Sequence, residues 1–437
     1  MRFDSPLIQS ATKPSVQPTR SFSSSTAHLQ QHSQSSSSLS KDVKPLPLGN
    51  KVFNDAFAEG SKLSSSLGDR RLAAEDQKTY ERIYSAITER YKSFNQEKEI
   101  GYGEKPGITA DIEDISLDEI CAVLRHIARN PDKAEFAAKK SAISPLFDKL
   151  YLMQNKEQGW ALRLHKFAPG GKSQGDEELP HYHRWTLASK ILSGGYNNKN
   201  YTEIPADQAS AEEKYYKYSL KPSADGTERQ FTRQEPFEVG MQVSRQTLFK
   251  KGDIRHFPIE WPHSVSDLSH HTGTTLTLAH TAKGAKDSSL AYEKDPSLQT
   301  KSLDKPATLQ EFAASILDKI ALLRVISLAD KLHHYLQEKA ELTPGEQRHI
   351  EDYSAPNYLE TSLLPALALL DLEETSSEFG RETQVFIREE LKSVGQRNLQ
   401  SLIEENQRNI ANGAFSARIN SWNELERLFP GPFEERA

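Results

Sequence analysis

The stretch GDEELPHYHRWTLASKILSGGY, residues 175–196, places two histidines one residue apart, behind a proline and ahead of a run that ends in Gly194-Gly195. WTLASKIL (185–192) reads as a strand, and the Gly-Gly pair marks the turn that follows it. Alternate residues of a strand point to the same side, so His181 and His183 share a face. Imidazole is a good ligand for iron, zinc, copper or nickel, and a pair on one face is incomplete without a further ligand. The best candidate is His263, in KKGDIRHFPIEWPHSVSD, where a strand-like run follows a glycine turn and Pro262 restricts the backbone just ahead of the histidine.

Around this core the texture of the chain changes twice. Residues 1–50 are rich in serine, glutamine and proline and carry too little apolar surface to offset their ordering entropy, so they read as a disordered leader. The leader is compatible with a plain tail, an organellar presequence or the unfolded start of a translocated bacterial effector. Pro6, Pro14 and Pro18 interrupt the amphipathic helix that a presequence needs. Residues 51–155 read as helices, with a capping box at Ser116 and Glu119 and a last helix over DKAEFAAKKSAISPLFDKLYLM, broken at Pro145. Residues 156–300 hold short strands separated by turn signals, with a polar inserted loop at about 205–235. Residues 301–437 return to helical periodicity behind a second capping box at Thr308 and Glu311. The fold class is α+β: a β-barrel core flanked by N-terminal and C-terminal helical regions.

Composition narrows the function. The chain has 437 residues and a net charge of -6, which gives no electrostatic case for nucleic acid. Mean hydropathy is -0.68, and no apolar run is long enough to span a membrane, so a soluble, cytoplasmic protein is expected. Cys121 is the only cysteine, which rules out a cysteine-built zinc site and leaves histidine and oxygen as metal ligands. Neither a dinucleotide fingerprint nor a P-loop is present.

The histidine region resembles the cupin superfamily, whose barrels are jelly rolls. Its first motif runs glycine, five residues, His-x-His, three or four residues, glutamate, six residues, glycine. Here Gly175, His181, His183, Ala188 and Gly195 stand at those offsets. At the second motif's offsets stand Gly252, Pro258 and His263, with Glu260 for a glycine and Asp267 for an asparagine. Ala188 replaces the glutamate ligand of many cupins, so the resemblance is nearest to the three-histidine, cysteine-dioxygenase-like branch. It covers roughly residues 155–285 and implies a cupin-like barrel with His181, His183 and His263 as metal ligands.

What the resemblance implies chemically is a mononuclear non-haem Fe(II) dioxygenase acting on a small polar substrate, such as a thiol or an amino-acid-like acid. Zinc or another divalent metal would redirect the site to Lewis-acid chemistry. Two other readings stay open: a non-catalytic cupin scaffold that binds a protein partner through its helical regions, and a metal-free isomerase or epimerase. Trp185 falls on the face of the two histidines, where an aromatic wall would exclude water. Arg163, alternating with His165 on WALRLHKF, is a candidate anchor for an anionic group. Tyr196 is a candidate hydrogen-bond donor at the mouth. Lys190 lies on the opposite face and is expected in solvent, His256 is expected to point away from the site, and His280 has no assigned role.

Overall fold

The fold is taken from a computed structural model that describes residues 67–93, 107–144, 147–167, 179–222, 228–257, 259, 261–266, 273–284, 288–302, 305–363, 366 and 379–392. The leader, Gly175, Pro258, Glu260, Asp267, the His270-His271 pair and the amphipathic segments beyond residue 392 lie outside these residues. All described residues belong to one compact unit, Leu48–Ala437.

Four helices come first: α1 (Leu67–Lys92), α2 (Gly107–Glu113), α3 (Leu117–Arg129) and α4 (Pro131–Ala138). The expected capping box starts α3. Ser116 Oγ accepts the Glu119 backbone N–H at 3.2 Å, and Glu119 Oε2 accepts the Ser116 N–H at 2.8 Å. The helix expected over residues 132–153 is corrected: only α4 is helical, followed by β1 (Ala142–Ile143) and β2 (Phe147–Asn155). Most of β2 alternates half-buried with buried side chains, the period of a strand, and Gly159, at φ 79°, closes its hairpin to β3 (Trp160–Phe167).

The remaining strands are β4 (His181–Tyr182), β5 (Trp185–Ser193), β6 (Gly195–Pro205), β7 (Lys214–Pro222), β8 (Glu228–Lys250), β9 (Ile254–Phe257), β10 (His263–Ser266), β11 (Thr275–Gly284), β12 (Ser289–Glu293) and β13 (Thr300–Ser302). They form two antiparallel sheets, ordered β1-β2-β3-β11-β5-β9 and β13-β8-β6-β10-β4-β12-β7. Four of the pairs are β3 with β11, β4 with β10, β5 with β9 and β6 with β8. That is one long hairpin with four strands in each leg, folded so that successive strands alternate between sheets. This wrapping is the jelly roll, a double-sheet solution to the edge-strand problem.

Of the segment expected as a polar loop at about 205–235, the described residues hold a short helical turn (Ala206–Gln208), β7 and the start of β8. KYYKYSLK is rich in aromatic residues that favour a strand, and Tyr218 is fully buried. Because β7 pairs with both β8 and β12, the second sheet closes on itself and encloses Val239, Met241 and Tyr292.

After the strands come α5 (Leu309–Gln337), α6 (Pro344–Asp352) and α7 (Arg381–Lys392). The Thr308–Glu311 capping box starts α5 as expected. The main apolar core lies outside the barrel. Leu150, Leu164 and Leu278 on the outer face of the first sheet share one cluster with Leu124 of α3 and Ile316 and Leu323 of α5. The interior of the barrel has only a small cluster of Ile191, Tyr196 and Phe257, flanked by Phe167, Leu187, Phe249 and Val265. Hydrophobic burial against the helices therefore carries the fold, and the barrel interior is left for polar groups. A buried ionic cluster ties α5 to the first sheet: Lys319 Nζ donates to Asp148 and Asp318, and Lys166 Nζ donates to Asp318 at 2.7 Å.

The Gly194-Gly195 turn fixes the crossing from β5 to β6. Gly194 has φ +70°, and a Cβ on Gly195 would fall 2.4 Å from the Phe249 carbonyl oxygen. That oxygen is backbone and cannot rotate away, so Gly195→Ala is expected to cost about 1–3 kcal/mol. Urea unfolding tests this, and an unchanged midpoint would show that β6 and β8 separate freely.

Candidate metal centre

The antiparallel register of β4 and β10 sets His263 directly opposite His181. Strand alternation adds His183 on the same side, and the three ring centroids lie 4.7–4.9 Å apart. One ligand nitrogen from each ring falls within 4.8 Å of the other two. His263 is 2% exposed, while His181 and His183 are half-buried.

Two local sequences orient the rings in the same way. In Leu179-Pro180-His181, the Nδ1–H of His181 donates to the Leu179 carbonyl at 3.1 Å. In Trp261-Pro262-His263, the Nδ1–H of His263 donates to the Trp261 carbonyl, also at 3.1 Å. With Nδ1 as the donor, Nε2 is the bare nitrogen that can hold a metal, and a backbone carbonyl holding the tautomer is the usual support for a ligating histidine. The repeated Pro-His pair was a sequence signal for this arrangement. Burial, reinforced by neighbouring basic groups, pushes His183 and His263 well below the ordinary histidine value. Both are therefore neutral at pH 7, the form that binds a metal. The donor set fits a divalent transition metal: three imidazoles, two with fixed tautomers, converging on one point.

Ala188, at the position where a fourth ligand was considered, is buried in the core between the sheet and the helices. Trp185 stacks on His183 with ring centroids 6.0 Å apart and planes 18° apart. Phe257 packs on His263 at 4.7 Å. Arg163 faces the same interior: its guanidinium lies 5.8 Å from the Trp185 ring centroid and 4.6 Å from that of Tyr151, and Nη2 donates to Thr281 Oγ1 at 3.2 Å. His165, two residues along β3, has no role in the sequence reading, yet it acts electrostatically on His183. Its alternation with Arg163 was the signal that could have placed it there. Tyr196 sits in the Ile191–Phe257 cluster, one side chain removed from His263.

One other expectation needs revision, that for Lys190. Lys190 is not a solvated side chain, because its Nζ donates to the Glu113 and Ile115 carbonyls at 2.6 and 3.0 Å. The C-terminal end of α2 is an electronegative site that favours such a cation. His256 points to the α2 side of the first sheet, opposite Ala188, and burial lowers its pKa to about 4. His280 is fully buried on that outer side, with Nδ1 3.1 Å from Asp111, which also accepts Arg90. It joins β11 to α1 and α2 and lies apart from the triad.

The fold and site together define a double-sheet jelly roll carrying a three-histidine cluster. No family model matches the chain, and no curated protein matches it. Solved structures to which it is similar include vicilin from hazelnut, Corylus avellana, at 11% identity over 32% of this chain and 30% of that one, with a TM-score of 0.19. The chain thus spans less than a third of that protein's length. Another is the polyketide cyclase RemF from Streptomyces resistomycificus, at 15% identity over 36% of this chain and 82% of that one, TM-score 0.18. A third is an uncharacterized conserved protein with a double-stranded beta-helix domain from Klebsiella pneumoniae, at 11% identity over 37% and 96%, TM-score 0.19. The strand order and pairings define the jelly roll independently of these distant likenesses. No helix among the described residues is long and apolar enough to cross a membrane.

Proposed function

We propose that this chain is a metal-dependent oxidoreductase, a mononuclear non-haem iron dioxygenase acting on a small anionic molecule. The observation that carries the reading is the convergence of His181, His183 and His263 from two paired segments, with no carboxylate joining the cluster among the described residues. Bound there, iron(II) would supply one-electron chemistry with O2, and three neutral ligands on one side leave coordination positions for substrate and O2. The backbone carbonyls of Leu179 and Trp261 hold two of the rings in place. Trp185 and Phe257 wall the site and exclude water. The two charged groups acting on His183 are Arg163 and Arg255, which supports an anionic substrate, and Arg163 would orient it.

The test is to load metal-free protein anaerobically with Fe(II) or with Zn(II), then follow O2 consumption with panels of small acids and thiols. The iron form should consume O2 with at least one such acid, and the zinc form with none. Retention of zinc in preference to iron in purified protein, with no O2 consumption by the iron form, would replace the oxidoreductase reading with Lewis-acid chemistry.

A further inference from the structure

We infer that the molecule this centre takes is an aromatic carboxylate. The inference rests on the reading of the triad as a metal centre for an anion, and it is carried by two unsatisfied polar groups and by the rings around them. Arg163 Nε and His165 Nε2 are both buried without a hydrogen-bond partner. They occupy same-face positions on β3, about 6.6 Å apart along the strand. Arg163 has no ion-pair partner among the described residues; its charge is met by the faces of Tyr151 and Trp185 and by one hydroxyl. Burying a guanidinium without an anion is costly, so the group that completes the site is an anion, and a carboxylate matches its fork in bidentate fashion.

The rings decide the body of the molecule. Between Arg163 and the triad stands Trp185, stacked on His183. Phe147 and Phe167 hold the His165 ring edge-on, at 5.4 and 6.4 Å. A molecule with its carboxylate on Arg163 and a metal-binding atom at the triad must pass Trp185, where a flat ring makes offset or edge contacts. A polar substituent on that ring gives His165 Nε2 its missing partner. A zwitterionic amino acid fits less well, because its ammonium, one carbon from the carboxylate, would lie beside the unpaired Arg163 guanidinium.

Isothermal titration of the full chain, metal-free and zinc-loaded, with benzoate, 2-hydroxybenzoate, acetate, benzyl alcohol and cysteine tests this. The two aromatic acids should bind at least about tenfold more tightly than the other three. Arg163→Met should weaken benzoate about 10- to 100-fold, with part of the affinity restored in Arg163→Lys. Trp185→Leu should weaken benzoate and leave acetate unchanged. Acetate or cysteine binding as tightly as benzoate, or benzoate affinity indifferent to Arg163→Met, overturns the inference. If Arg163→Met fails to fold by circular dichroism, Trp185→Leu and His165→Gln decide the matter by the same comparison. Metal content is measured on the same samples. Metal bound without benzoate affinity sinks the substrate class alone, whereas benzoate binding by a protein that takes up no metal sinks the metal reading and leaves the aromatic acid standing.

Discussion

A protein in which His181 and His183 are both alanine will hold no transition metal under conditions where the natural sequence holds about one ion per chain. The two residues supply two of the three converging imidazoles, and His263 alone offers a single nitrogen. Disturbing the support of a ligand typically costs about 10- to 100-fold in affinity. Deleting two ligands outright removes chelation altogether. The fold is expected to survive, because the large apolar cluster joins the outer face of the first sheet to the helices and includes none of the three histidines. Elemental analysis after dialysis, with circular dichroism on both proteins, makes the measurement. Equal metal in both proteins would place the ion elsewhere, and metal in neither would mean that the imidazoles are hydrogen-bonded core.

Removing the charge of Lys319 will destabilise the chain by about 3–5 kcal/mol, although the residue lies outside the barrel interior. Lys319 is fully buried in the middle of α5 and donates to Asp148 on β2, to Asp318 and to Ser315. In Lys319→Met the Asp148 carboxylate loses its ammonium partner, and an uncompensated buried charge costs more than the pair contributed. Burial alone would raise the Asp318 carboxyl, but Lys166 and Lys319 outweigh it and hold it below the ordinary value. Burial would likewise lower Lys319, but Asp318 and Asp148 outweigh it and raise it. A depressed carboxyl contributes stability above its unfolded pKa and loses it as pH falls through the folded value. A raised lysine contributes below its unfolded pKa and loses it as pH rises through the folded value. The contribution of Asp318 and Lys319 should therefore be level between about pH 4 and pH 10 and decline outside that range. Urea denaturation of Lys319→Met, beside a variant that also carries Asp148→Leu, separates the causes, because Asp318 keeps Lys166 as its partner. The double variant should recover much of the loss, and a single variant as stable as the natural sequence would show that water reaches the cluster.

Much of this molecule is written locally. Strand alternation places His181 and His183 on one face, and Arg163 with His165 on another strand, without any knowledge of what they meet. Ser116–Glu119 and Thr308–Glu311 begin their helices because both partners of each capping box lie within one turn. The Gly194-Gly195 turn and the offsets around His181 and His263 point to the jelly roll. Where the local reading failed, two periods competed. The residues after Pro145 were read as helix, although β2 alternates and pairs with β3. The aromatic-rich segment at 214–221 was read as part of a polar loop, although its tyrosines favour a strand and it pairs with β8 and β12.

The sequence by itself determined which side chains share a strand face, where the capped helices start and which residue types are available to hold a metal. Only the tertiary structure decided what those faces meet. The pairing of β4 with β10 brings His263 opposite His181, and the crowding of His165 and Arg163 toward His183 follows from the order of strands across two sheets. Lys190 is capped by a helix end, His280 meets Asp111, and Lys319 meets Asp148, in each case through an element far away in the chain. The physical reason is one of range. Side-chain direction along a strand or helix repeats within a few residues, so sequence carries it. A partner across a sheet or a core is chosen by burial and register over the whole chain, which no short window contains.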